Sequence, residues 1–206
     1  MAELVLFHHI QGLTEGVHGF AEAIREAGHI VHVPDLFGGH TFASLGEGEA
    51  FLHYLGFDHM RDRGLAAVEG LPNDLIYAGF SMGVLPAQQL FQTRPGVRAG
   101  IFYHGFGLPS YFGQWPAGVP VQIHAMNADP IFVGEGDIDA ARLVARRHPE
   151  VELHLYPGLG HLFTDSSLAD FDEQATALVL SRTLALLERV APVQPERAAS
   201  EAALGL

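Results

Sequence analysis

A side-chain hydroxyl becomes a useful nucleophile where the backbone thrusts it outward and a neighbour can take its proton. Gly79-Phe80-Ser81-Met82-Gly83 has the form for the first requirement. The apolar run Asp74 to Ala78 precedes it, and the helix-compatible run Val84 to Phe91 follows. A strand that turns at once into a helix around G-x-S-x-G holds the serine at the tip of a sharp, strained turn. Its flanking glycines spare a collision between strand and helix. The hydroxyl then stands at the carboxyl edge of a sheet, beside the positive end of a helix. In a chain with 24 glycines the pattern alone is weak, and the strand before and helix after are what make it specific.

A serine nucleophile needs a base, and the base needs an acid to hold its tautomer. In α/β-hydrolase sheets these follow in the order serine, acid, histidine. Asp129 lies three residues beyond the strand-like Val119–Met126, and His161 lies in the loop Tyr156-Pro157-Gly158-Leu159-Gly160-His161 after the last strand. Asp137 is the fallback acid, but it opens a helix, where an aspartate is commonly a cap. Asp165 and Asp170 are read as the start of the final helix. Two backbone N–H groups should face a developing oxyanion: that of Met82, after the nucleophile, and that of Ile10, in the loop after the first strand. His9, Gln11, Phe37, His104 and Phe106 are then expected to border the substrate pocket. No His-Glu-x-x-His or comparable spacing points to a metal, and the expectation is a site without metal or cofactor.

The elements that must position these residues follow from periodicity. Strands are expected at 3–9, 29–33, 73–80, 97–103, 119–126 and 151–156. Helices are expected from Thr14 to Gly28, over 47–69 with a break near Gly56 or Gly64, and over 82–92, 138–147 and 170–190. Strands apolar throughout, alternating with helices, indicate an α/β fold with a mainly parallel sheet covered on both faces. A chain of 206 residues suits one domain, here 1–190, with Ala191 to Leu206 expected as a flexible tail. The formal charge of −13 argues against nucleic acid or an anionic membrane as partner. All 11 basic residues are arginine, which removes lysine Schiff-base chemistry, and the lack of cysteine removes thiol chemistry and disulfides. No basic n-region precedes Leu4, so the expectation is no signal peptide and a cytoplasmic location.

These landmarks resemble the dienelactone hydrolase family of α/β-hydrolases. The matching residues are Pro34-Asp35-Leu36-Phe37-Gly38 after the second strand, the elbow at 79–83, Asp129, and Tyr156-Pro157-Gly158 through Gly160-His161. The separations of 48 residues from Ser81 to Asp129 and 32 from Asp129 to His161 are also similar. The resemblance implies a compact hydrolase with a minimal lid, no cofactor, and attack on an ester or lactone. Three departures bear on substrate. Ser81 stands where the founding enzymes carry cysteine. His9 takes the place of their first-loop glutamate. Leu162-Phe163-Thr164-Asp165 runs where they place an arginine for the substrate carboxylate. Asp165 is accordingly expected near the pocket, repelling anions.

The residues together point to a serine hydrolase of small carboxylic esters, lactones or thioesters. The rival reading, a binding or regulatory module with a vestigial triad, gives no reason for a strained serine. A lyase or acyltransferase could use the same residues.

Overall fold

The apolar runs close into a single six-stranded sheet because their side chains can be buried on both faces only between layers of helices. The structure is a computed structural model, and residues 1–191 are described. The expected tail at 191–206 lies, beyond Ala191, outside the described residues. The strands are β1 (Glu3–Phe7), β2 (Ile30–His32), β3 (Ile76–Phe80), β4 (Ala99–Tyr103), β5 (Val121–Met126) and β6 (Val151–Tyr156). Their order is β2-β1-β3-β4-β5-β6, and every neighbouring pair is parallel. All strands therefore end at one carboxyl edge, where an open α/β sheet places its ligands.

Alternate residues of each strand feed two separate cores. Leu4, Leu6, Ile76, Ala78 and Ile101 pack against α1 (Glu15–Glu26) and α7 (Glu173–Val190). Val5, Phe7, Tyr77 and Phe102 pack on the other side, against α2 (Leu45–Leu55), α3 (Phe57–Ala66), α4 (Val84–Thr93) and α6 (Asp137–Arg147). Each helix starts and stops for a local reason. Thr14 caps α1, its hydroxyl accepting from the Val17 N–H, and Val17, Phe20, Ala21 and Ile24 form its buried stripe. The middle helical region breaks at Gly56, with φ of 89°; Gly64 stays inside α3, where it packs closely on Pro86. Asp172, rather than Asp165 or Asp170, caps α7 through the Ala175 N–H. A short helix not expected from the sequence, α5 (Pro130–Gly134), begins at Asp129.

No helix among the described residues is long and apolar enough to cross a membrane. Helix α7 holds its side of the sheet through Ala175, Val179, Thr183, Leu186 and Leu187, and the Thr183 hydroxyl bonds Tyr103 Oη at 2.8 Å. Leu186 is fully buried there. Leu186→Ala is expected to lower the unfolding free energy by about 2–5 kcal/mol in urea titrations. A loss below about 1 kcal/mol would mean that α7 does not close this core.

Candidate active site

Ser81 follows the last residue of β3 with φ of 48°, one of two non-glycine residues in the left-handed region among those described. The turn is possible because backbones nearly touch there. A Cβ on Gly79 would lie 2.2 Å from Gly83 O, and a Cβ on Gly83 would lie 2.5 Å from the carbonyl oxygens of Phe7 and His8. The elbow therefore wedges strand, helix and the first-strand loop together, which fixes the direction of the hydroxyl.

Ser81 Oγ lies 2.7 Å from His161 Nε2, and His161 Nδ1 lies 2.7 Å from Asp129 Oδ2. A carboxylate only accepts, so Nδ1–H donates to Asp129 and Nε2 keeps its lone pair for the serine hydroxyl. Asp129 is fully buried, and its other oxygen accepts from the Ile131 N–H at 2.9 Å as the cap of α5. His161 is fixed from its backbone as well, its N–H donating to Asp170 Oδ2 at 3.0 Å. Asp137 does not reach this chain of bonds. Its Oδ2 instead accepts from the Phe106 N–H at 2.8 Å, and burial raises its pKa above the ordinary carboxylate value while that bond works against the rise.

A cavity of about 390 Å³ opens over Ser81 and His161. Ile10 and Met82, the candidate oxyanion donors, both line it, as do His104 and Phe106. The expectation that His9, Gln11 and Phe37 border this cavity is corrected. Phe37 is 1% exposed and packs into the core against His8 and Phe51. Gln11 is buried with its amide donating to Phe42 O. His9 Nε2–H donates to Asp165 Oδ2 at 2.7 Å, and its Nδ1 accepts from the Gln11 N–H at 3.2 Å.

Asp165 is likewise not a pocket residue. It lies 3% exposed behind the elbow with His9, and Thr14 and Ser167 also donate to it. Burial pushes its carboxyl up, but the hydrogen bonds from His9, Ser167 and Thr14 outweigh that and hold it at about 2. Among the described residues, the charges that do face the cavity are Glu49, Glu135 and Asp137, and no arginine lines it. Sequence reasoning missed this wall. Leu45, Glu49, Leu52 and His53 share one face of α2 at helical spacing, so periodicity could have grouped them, but it does not say what the face covers.

A sheet of this order with a strained serine elbow, a buried acid after β5 and a histidine after β6 is the α/β-hydrolase architecture. The Dienelactone hydrolase family model matches residues 2–191. The chain belongs to the dienelactone hydrolase family, a family of hydrolases. No curated protein sequence matches it. Among solved structures it is similar to a dienelactone hydrolase-like promiscuous phosphotriesterase from metagenomic libraries, at 21% identity and TM-score 0.71, covering 92% of this chain and 87% of that one. It is also similar to esterase PE8, at 19% identity and TM-score 0.60, with 92% of each chain covered. A metagenome-derived lipolytic enzyme of the LipS and LipT pair matches at 17% identity and TM-score 0.64, over 91% of this chain and 94% of that one. At these identities the three structures speak for the fold.

Three histidines near the site are buried as neutral rings. Burial lowers His8 to about 4 and takes His104 and His124 well below their ordinary value. The unfolded chain takes protons on these rings near pH 6.5, whereas the folded chain does not until well below that. The unfolded state thus binds more protons as pH falls, and stability falls with it. Urea titrations should show the unfolding free energy dropping steadily from pH 6.5 to pH 4. A flat profile over that range would mean that these rings are not buried neutral.

Proposed function

We propose that this chain is a serine hydrolase that cleaves a small carboxylic ester, lactone or thioester through an acyl-enzyme. The observation that carries the reading is the continuous line of 2.7 Å contacts from Ser81 Oγ through His161 to Asp129 at the floor of the cavity. Ser81 Oγ attacks the acyl carbonyl while His161 Nε2 takes its proton. Asp129 holds the ring in the Nδ1–H tautomer and stabilises the imidazolium that forms. The N–H groups of Ile10 and Met82 receive the oxyanion, each worth about 3 kcal/mol in the transition state. The imidazolium then protonates the departing alcohol or thiol, and a water activated by the same ring cleaves the acyl-enzyme.

Ser81→Ala is expected to lower turnover of p-nitrophenyl acetate by on the order of 10⁴-fold or more while the fold persists. A fluorophosphonate should label the wild type at Ser81 and not this variant. Wild-type turnover in Ser81→Ala would remove the mechanism. Asp129→Asn should cost about 10³–10⁴-fold, because the amide would favour the wrong tautomer of His161. Asp137→Asn should cost far less, and the reverse ranking would transfer the acid's role to Asp137.

The carboxylates at the cavity argue for neutral acyl substrates. Like charges about 4 Å apart at an effective dielectric near 20 oppose each other by roughly 4 kcal/mol before screening. Glu49 and Glu135 are exposed and Asp137 half-buried, so screening removes much of this. Even about 1.4 kcal/mol is tenfold in specificity. At low salt, kcat/KM for a neutral lactone is expected to exceed that for a carboxylate-bearing lactone of similar size by at least about tenfold. A preference for the anion would refute this reading of the pocket.

A further inference from the structure

We propose that His8 is a positioning residue that aims the Ile10 N–H at the substrate oxyanion, an inference that rests on the acyl-transfer reading above. His8 is fully buried, and both its ring nitrogens are occupied in a way that leaves one tautomer. The Leu36 N–H donates to Nε2 at 3.0 Å, so Nε2 must carry a lone pair and the proton must sit on Nδ1. That Nδ1–H donates to the His9 carbonyl oxygen at 2.7 Å. The Gly12 N–H donates to the same oxygen at 3.0 Å.

The His9 carbonyl and the Ile10 N–H belong to one planar, trans peptide unit, so they point in opposite directions. Pinning the carbonyl with two donors therefore sets the direction of the N–H. Among the described residues no carbonyl or side chain accepts from that N–H, and Ile10 lines the cavity over Ser81. The His9 side chain is tied down independently, by Asp165 on one ring nitrogen and the Gln11 N–H on the other. The peptide is thus clamped at its carbonyl by His8 and at the preceding side chain by Asp165. His8 touches neither substrate nor the reacting atoms; it acts through the peptide.

Two substitutions separate the two ring nitrogens. His8→Asn places an amide nitrogen near the site of Nδ1 and can still donate to the His9 carbonyl. His8→Gln reaches toward the site of Nε2 and can satisfy the Leu36 N–H, but offers no donor to His9. With p-nitrophenyl acetate, His8→Gln is expected to lower kcat by about 10- to 100-fold, up to the lower end of what loss of an oxyanion donor costs. KM should stay within about twofold, and the affinity for a trifluoromethyl ketone analogue should fall in parallel with kcat/KM. His8→Asn should retain kcat to within about threefold. A purely structural role would lower the stability of both variants without separating their kcat values.

Wild-type kcat in His8→Gln, or equal losses in the two variants, would overturn the proposal. Nitrogen-15 NMR of the wild type gives a test that survives misfolding of either variant: His8 must be the Nδ1–H tautomer, and the Nε2–H tautomer would overturn it. Inactive Ser81→Ala together with unimpaired His8→Gln would sink this inference alone. Active Ser81→Ala would sink the hydrolase reading and this inference with it.

Discussion

The site depends on three stretches of backbone meeting around Ser81 at a separation no side chain could share. A left-handed non-glycine residue costs on the order of 1–3 kcal/mol and persists only where its surroundings over-determine it. Here Gly79 lies against Gly83, and Gly83 lies against the carbonyls of Phe7 and His8, so β3, α4 and the loop after β1 lock one another. His104, the other such residue among those described, follows the last residue of the neighbouring strand β4, and its N–H donates to the His124 carbonyl at 2.7 Å. Both strained residues therefore stand side by side at the carboxyl edge of the sheet. Strain concentrated at one edge, with relaxed strands behind it, is how a rigid scaffold holds a reactive group in place.

Two histidine–aspartate pairs occupy that edge at the same 2.7 Å separation, and only one is suited to proton transfer. His161 gives one nitrogen to Asp129 and turns the other to the Ser81 hydroxyl. His9 gives one nitrogen to Asp165, but the Gln11 N–H occupies the other. With its lone pair already engaged by a backbone donor, His9 has nothing to offer a substrate proton. The difference between a candidate base and a structural clamp lies in the partner of the second nitrogen, not in the carboxylate.

That distinction also marks where the sequence ceases to be readable. The elements were legible because each parallel strand is an uninterrupted apolar run and each helix carries a local cap or stripe, as Thr14 and Val17 to Ile24 do for α1. Ser81, Asp129 and His161 were legible because chain order and strand ends constrain them together. His9 was not, since its partner lies 156 residues away and no periodicity links them. Asp165 was misread as a helix start and as a pocket charge for the same reason. The wall supplied by α2 was hidden too. A helical face announces that it is buried, but not whether it meets a core or a cavity.

The corrected place of Asp165 sharpens the argument about substrate instead of removing it. His9 takes the place of the first-loop glutamate of the resembled family's founding enzymes, Asp165 lies in the stretch 162–165 where they place an arginine, and here the two bond to each other. Among the described residues no arginine lines the cavity. Arg63 donates to the Leu36 carbonyl at 2.9 Å, and Arg61 pairs with Asp58 and Asp62. The charges facing the cavity among the described residues are those of Glu49, Glu135 and Asp137. An anionic acyl group would enter against all three with no counter-charge among the described residues of the wall, whereas a neutral one would meet Leu52, Phe57, Leu85 and Phe106. Behind the elbow His9 and Asp165 satisfy each other, while in front of it the described wall leaves its carboxylates without a counter-charge.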